Sequence, residues 1–155
     1  PPPPPPPLPT DPPPPPTYPR WYSSAASDVY KRQGQSMLLT GDIERRAEQV
    51  LLAEQRDRLP VDVLVVPHHG SLTSSSREFI EAIRPHMALF PSGYRNRYGF
   101  PKRVIVERYA DIHAVMEQTG LAGALTVTLA ASPGMPEIQR YRDIVRRYWQ
   151  PENNH

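Results

Sequence analysis

Two adjacent histidines, His68 and His69, follow directly after the apolar run VDVLVVP, and Gly70 and Ser71 come next. Imidazole ligates metal ions and acts as a general acid or base near neutral pH. A histidine after a strand is nevertheless more often a surface residue than a ligand. Adjacent side chains in a turn point in different directions, so at most one of the pair is expected to face a metal ion. The other would bind phosphate, act as an acid or support the ligand.

Asp42 stands at the end of the preceding apolar run, MLLTGD. One interpretation is a helix N-cap, because an aspartate carboxylate accepts hydrogen bonds from the amides of the first helical turn. The other is a metal ligand whose two oxygens bridge two ions. Both roles are open at this point, since a capping carboxylate has a second oxygen.

A third polar loop, SGYRNRYG, is basic and aromatic. No acidic residue occurs between Glu81 and Glu107. A run of cations is usually just solvated, but arginine forks bind phosphate oxygens and tyrosines stack on bases. Ser71 has turn chemistry as its simpler interpretation. The candidate substrate- or phosphate-binding residues are Ser71, Tyr94, Arg95, Asn96, Arg97 and Lys102.

These loops need strands to position them, and the pattern from Met37 predicts the order β-α-β-α-β-α-β-β. Strands alternating with helices indicate an α/β fold, in which parallel strand ends present loops at one edge. A capping box from Ser75 to Glu78 is expected to begin the second helix. The third helix is expected to run from Pro101 to about Gln118, followed by a β-hairpin. His86, His113 and His155 are interpreted as structural or surface residues.

Composition excludes several classes of protein. The formal net charge of the 155 residues is +2, and no cysteine is present, so disulfides and thiolate ligands are excluded. No apolar run approaches the roughly 18–20 residues that span a bilayer, so this segment is expected to be soluble.

The N-terminal part differs from the rest, because 14 of the 22 prolines lie in the first 20 residues. Such a tract packs no core and is expected to be disordered. The following segment SSAASDVYKRQ, residues 23–33, resembles a translated sequencing adapter. We therefore expect residues 1–33 to be artefactual, residues 34–150 to form the domain, and residues 151–155 to be a tail.

The motifs LLTGDIE, DVLVVPHHGSLTSSSREF and SGYRNRYGFP, followed by VIVERY, together resemble the C-terminal metallo-β-lactamase-like domain of the DNA internalization-related competence (ComEC) proteins. The resemblance covers Met37 to Trp149 and implies the second half of an αββα sandwich. It also implies a nuclease that degrades the non-imported strand during natural transformation. Asp42 and His68 would be metal ligands, and His69 would be catalytic. Phe100 stands where related domains often carry a histidine.

The resemblance further implies two divalent ions, zinc or manganese, in the intact parent, and no small-molecule cofactor. Single-stranded DNA and a membrane channel domain of the same parent chain would be partners, and the parent would lie in the bacterial inner membrane. The first ligand cluster of the superfamily is absent before residue 37, so the chain alone is expected to be inactive. A soluble hydrolase of a small ester or lactone, and a catalytically dead nucleic-acid-binding remnant, are the alternatives.

Overall fold

The computed structural model describes residues 28–32, 34–129 and 135–145. Three segments interpreted from the sequence therefore lie outside the described residues. They are the proline-rich start (residues 1–27), most of the turn of the predicted hairpin (residues 130–134) and the tail with His155 (residues 146–155). Seven strands are present in the described part: β1 (Asp28–Arg32), β2 (Gln35–Leu39), β3 (Val63–Val65), β4 (Met87–Phe90), β5 (Val115–Gln118), β6 (Leu125–Thr128) and β7 (Glu137–Arg140). The α-helices there are α1 (Arg45–Gln55), α2 (Arg77–Ile83), α3 (Arg103–Asp111), α4 (Thr119–Ala122) and α5 (Tyr141–Ile144).

Five of the strands form one sheet in the order β1-β2-β3-β4-β5. The pairs from β2 to β5 are parallel, whereas β1 is antiparallel to β2. Strands β6 and β7 form a separate antiparallel pair, as predicted for the hairpin. The predicted α/β fold is therefore confirmed, and the αββα sandwich stays a prediction. No helix among the described residues is long and apolar enough to cross a membrane.

The central sheet is covered on both faces. Alternate strand residues, such as Leu38, Leu64 and Phe90, pack with the helices in the larger apolar cluster. Val63 and Met87 face the other way and pack with partly buried residues of the hairpin. Because successive side chains of a strand point to opposite faces, the continuous apolar run of β3 follows from burial on both sides.

The third helix is shorter than predicted, and the sequence interpretation of its second half is wrong. Helix α3 ends at Asp111, where His113 adopts a left-handed conformation with φ 58°. The amide of Ala114 donates to the carbonyl of Tyr109, which completes a Schellman ending. The following residues then pair with β4 as β5, because the open edge of the sheet supplies main-chain partners that a continued helix would not use.

The capping box at α2 is also wrong. Ser76 is the N-cap and its side chain makes no capping hydrogen bond. Glu48 of α1 takes this role instead: its fully buried carboxylate accepts hydrogen bonds from the amides of Ser75 and Ser76. A residue from a neighbouring helix thus caps α2, which local spacing does not reveal.

Residues 28–32, which the sequence assigns to the adapter-like segment, form strand β1 along the outer edge of β2. An exposed strand edge pairs through main-chain groups, so many extended segments can occupy it. The pairing therefore does not depend on whether this segment is native, and the artefactual origin of residues 1–33 stays a prediction.

Candidate functional site

Three loops meet at the carboxyl edge of the parallel sheet, after β2, β3 and β4. Main-chain hydrogen bonds join them: the amide of His68 donates to the carbonyl of Gly41 at 3.0 Å. The amide of Lys102 donates to the carbonyl of Gly70, also at 3.0 Å. Parallel strands end at one edge, so the three predicted polar loops form a single surface.

Asp42 faces His69 across this surface, with 3.6 Å between carboxylate Oδ1 and imidazole Nε2. The Nδ1 atom of His69 lies 2.8 Å from the carbonyl oxygen of Pro91. A carbonyl only accepts, so Nδ1 carries the hydrogen. Nε2 then presents either a lone pair or a second hydrogen toward Asp42. A backbone carbonyl that fixes the tautomer in this way is typical of a metal-binding histidine.

Asp42 does not cap α1, since the N-cap is Glu44. The capping interpretation of Asp42 is therefore wrong. Its side chain is 69% exposed and lies beside His69 rather than against the amides of the helix.

His68 has different neighbours. Its Nδ1 lies 3.3 Å from Glu44 Oε1 and 3.3 Å from the hydroxyl of Thr73. That hydroxyl donates to the same carboxylate at 2.9 Å. Sequence reasoning missed Glu44 and Thr73, because only the folded chain brings the start of α1 against the loop after β3.

Both histidines have left-handed backbone conformations, with φ of 48° for His68 and 57° for His69. This region costs non-glycine residues roughly 1–2 kcal/mol each. Such strain is concentrated at functional sites and persists where surrounding contacts hold it. Here the carbonyls of Gly41 and Pro91 supply those contacts.

A cleft of about 570 Å³ opens between the second and third loops. Phe100 lies in it, with its ring centroid 6.1 Å from that of His68 and 6.3 Å from that of His69. Of the predicted site residues, the cleft includes both histidines, Ser71 and Asn96, but not Asp42, Tyr94, Arg95, Arg97 or Lys102. Its lining comprises His68, His69, Ser71, Thr73, Pro91, Ser92, Gly93, Asn96, Tyr98 and Phe100.

The side chain of Asn96 stabilises the third loop through hydrogen bonds to the main chain of that loop. Its amide nitrogen donates to the carbonyls of Gly93 and Phe100, and its oxygen accepts from the amide of Phe100. Its hydrogen-bonding groups are thus already used by the loop. The nearly buried hydroxyl of Ser71 likewise contacts Thr73, as its interpretation as a turn residue predicts.

The cations of the third loop lie against its aromatic rings. The guanidinium of Arg95 is 5.2 Å from the ring centroid of Tyr94, and that of Arg97 is 4.7 Å from that of Tyr98. Lys102 Nζ donates to the carbonyl of Tyr98 at 2.6 Å. With the residues that the structure describes, Arg95, Arg97 and Lys102 form no salt bridge. Their charges are therefore available for an anionic ligand.

The described residues supply too few donors for a complete metal site. Asp42 and His69 form a pair, but no group of three or more histidine, cysteine, aspartate or glutamate side chains in residues 28–32, 34–129 and 135–145 is placed to hold an ion. Zinc alone normally takes four ligands. Any further ligands would have to come from outside these residues.

Two groups of the described residues, Tyr109 and Arg140, have clearly shifted pKa values, and both lie outside the cleft. Burial raises the pKa of Tyr109, whose hydroxyl contacts that of Ser75. The hydrogen bond to the nearly buried carboxylate of Glu117 raises the pKa of Arg140, which joins β7 to β5. Both groups stabilise the scaffold in their ordinary protonation states.

The sequence matches segments of proteins named for competence and recombination. It is 37% identical over 117 residues to Competence protein ComA of Neisseria gonorrhoeae, which is 76% of this chain and 16% of that protein. It is 38% identical over 92 residues to Recombination protein 2 of Haemophilus influenzae, 59% of this chain and 11% of that protein. The chain is related to the ComEC-type competence proteins.

ComE operon protein 3 of Bacillus subtilis is 38% identical over 74 residues, 48% of this chain and 9% of that protein. The chain thus spans about a sixth or less of the length of these curated relatives. No family model matches it.

Proposed function

We propose that this chain is part of a phosphodiester-hydrolysing segment of a DNA-uptake protein, within a metallo-β-lactamase-like domain. The names of the relatives support the DNA-uptake role. The hydrolytic role rests on one observation: Asp42 and His69 face each other at 3.6 Å beside a cleft, and the basic loop at its rim has no carboxylate partner within the described part of the chain. The parent would lie in the bacterial inner membrane, with its channel as the partner domain.

Asp42 and His69 are the residues that we assign to metal binding in the intact parent. This exchanges the roles of the two histidines relative to the sequence interpretation, because the carbonyl of Pro91 orients His69 whereas Glu44 and Thr73 surround His68. Two divalent ions, zinc or manganese, would activate water and stabilise charge on phosphate oxygens when bound. The remaining ligands would come from other parts of the parent.

The basic loop would hold the phosphate backbone. Arg95 and Arg97 are exposed and have no carboxylate partner among the residues described. Guanidinium groups bind phosphate oxygens in a bidentate manner. We propose that they orient the DNA strand, and that His68 contacts the phosphate or protonates the leaving oxygen.

The test compares Asp42→Ala and His69→Ala in the full reading frame that contains this chain. The readout is the release of nucleotides from end-labelled single-stranded DNA with Mn²⁺. Each variant should lower the rate of nucleotide release by more than roughly 10- to 100-fold, which is the effect of removing a residue that only supports a metal ligand. The control is Asp57→Ala, an exposed acidic residue in the turn after α1.

The 155-residue chain alone should release no more nucleotides than its own Asp42→Ala variant, because it supplies an incomplete donor set. Degradation by the full-length Asp42→Ala protein at the unsubstituted rate would exclude the proposed hydrolytic site. Clear activity of the isolated chain would contradict the assignment of the missing ligands to the rest of the parent.

A further inference from the structure

We propose that the cleft beside His69 is a nucleobase subsite, in which one unpaired base stacks on the rings of Tyr98 and Phe100. This inference rests on the proposed DNA-processing function and adds a substrate preference to it. The sequence predicts that tyrosines of the third loop stack on bases, and Tyr94 is among its candidate residues. The folded loop places Tyr98 and Phe100, rather than Tyr94, in the lining of the cleft.

The first argument is the geometry of the rings. Tyr98 and Phe100 stack with centroids 5.8 Å apart and planes inclined by 22°, and both line the cleft. Tyr98 is 56% exposed, so much of its ring is accessible to a ligand. Exposed aromatic rings on a basic surface are the platforms on which proteins stack single-stranded bases.

The second argument is the size and composition of the cleft. Its volume of about 570 Å³ lies within the ~300–1,000 Å³ of sites for small organic ligands. The imidazoles of His68 and His69 lie beside Phe100, so four of the ten lining residues carry aromatic rings. A nucleobase is planar and forms hydrogen bonds along its edge, so it fits a cleft lined by aromatic rings and a few polar side chains.

The third argument is charge. Arg97 lies over the ring of Tyr98, and Lys102 Nζ lies 5.3 Å from the ring centroid of Phe100. Both cations lie beside the rings on which a base would stack, and from there they would attract the phosphates that flank it. A base paired within a duplex is stacked between its neighbours and cannot enter, so the subsite favours an unpaired strand.

The experiment measures binding of the 155-residue chain by fluorescence anisotropy at one fixed salt concentration. The probes are an oligodeoxythymidylate of about ten nucleotides, an abasic strand of the same length, and a blunt duplex of the same length. The unsubstituted chain should bind the oligodeoxythymidylate more tightly than either of the others. Tyr98→Ala should weaken oligodeoxythymidylate binding by about 5- to 100-fold, the effect of removing one stacking partner, and change abasic binding by less than about twofold.

Two further variants make the result specific. Tyr98→Phe keeps the ring and should retain the preference for bases. Tyr141→Ala removes another half-exposed tyrosine, on α5 and away from the cleft lining, and should leave all three affinities unchanged. Circular dichroism of each variant confirms that the chain remains folded.

The outcomes separate this inference from the proposed function. Equal binding of the oligodeoxythymidylate and the abasic strand by the unsubstituted chain would overturn the base subsite and leave phosphate binding intact. A duplex that binds as tightly as the oligodeoxythymidylate, or a Tyr98→Ala variant that weakens all probes equally, would also overturn it. Binding of none of the probes would contradict the DNA-binding role as well.

Discussion

Individual side chains at this surface differ in role even when they are adjacent in sequence. His69 has one ring nitrogen fixed by the carbonyl of Pro91 and the other directed at Asp42. His68 contacts Glu44 and Thr73 instead. The left-handed backbone at both positions turns the two imidazoles toward these different partners.

A second residue with a decisive role is Glu48, whose buried carboxylate holds the start of α2. We expect Glu48→Ala to lower the free energy of unfolding by about 2–4 kcal/mol, because the amides of Ser75 and Ser76 both lose their hydrogen-bond acceptor. Glu48→Gln keeps one acceptor oxygen and should cost about half as much. Urea denaturation followed by circular dichroism measures both changes.

The matched control is Glu81→Ala, which removes an exposed glutamate from α2. Surface substitutions usually change stability by less than about 0.5 kcal/mol. If Glu48→Ala proved no more destabilising than Glu81→Ala, the carboxylate would not be the cap of α2.

At the scale of elements, the site depends on how the loops after β3 and β4 fit together. Gly70 has φ 83°, and a Cβ atom there would lie 2.7 Å from the Cβ of Pro101. Its carbonyl also accepts the amide of Lys102. The position therefore requires glycine for two reasons, a left-handed backbone and a close approach of the aromatic loop.

Gly70→Ala and Gly34→Ala separate these two reasons. Gly34 has a similar φ of 92°, and a methyl group added there would have no atom of the described residues within 4 Å. Gly34→Ala should cost roughly 1–2 kcal/mol from backbone conformation alone. Gly70→Ala should cost about 1–3 kcal/mol more, because the methyl group displaces the loop that carries Phe100.

Thermal or urea unfolding of the two variants gives these energies. The change in the position of Phe100 is checked through the histidine ring resonances in an NMR spectrum. Equal destabilisation by the two substitutions would mean that the close approach of Pro101 to Gly70 does not contribute to stability.

At the scale of the whole molecule, β5 is an outer strand of the described sheet, and Val115 and Met116 on it are 43% and 36% exposed. An exposed apolar edge strand pairs readily with other chains. The isolated chain is therefore expected to self-associate as its concentration rises.

Val115→Lys should reduce this self-association, because a charge on an edge strand opposes pairing with a second copy. Val104→Lys is the matched control: this valine is 49% exposed but lies on α3, which has no open hydrogen-bonding edge. Sedimentation velocity at several concentrations compares the two. An equal effect of both lysines would indicate that net charge, rather than the edge, controls association.

Local sequence patterns were enough to predict the alternation of strands and helices through β4, the hairpin, and the position of three polar loops at one sheet edge. These follow from local hydrophobic periodicity and from the rule that parallel strands end together. The relationship to competence proteins was likewise carried by short motifs that remain continuous in sequence. The capping role of Asp42, the capping box and the length of α3 were predicted wrongly, because a tertiary partner decided each of them.

Only the tertiary structure placed Asp42 against His69, brought Glu44 and Thr73 to His68, and set the rings of Tyr98 and Phe100 at the cleft. The same holds for Glu48, which reaches α2 from another helix. Left-handed turns and contacts between distant elements determine where these side chains lie. They depend on packing across the whole sheet edge, and no spacing within a single segment encodes them.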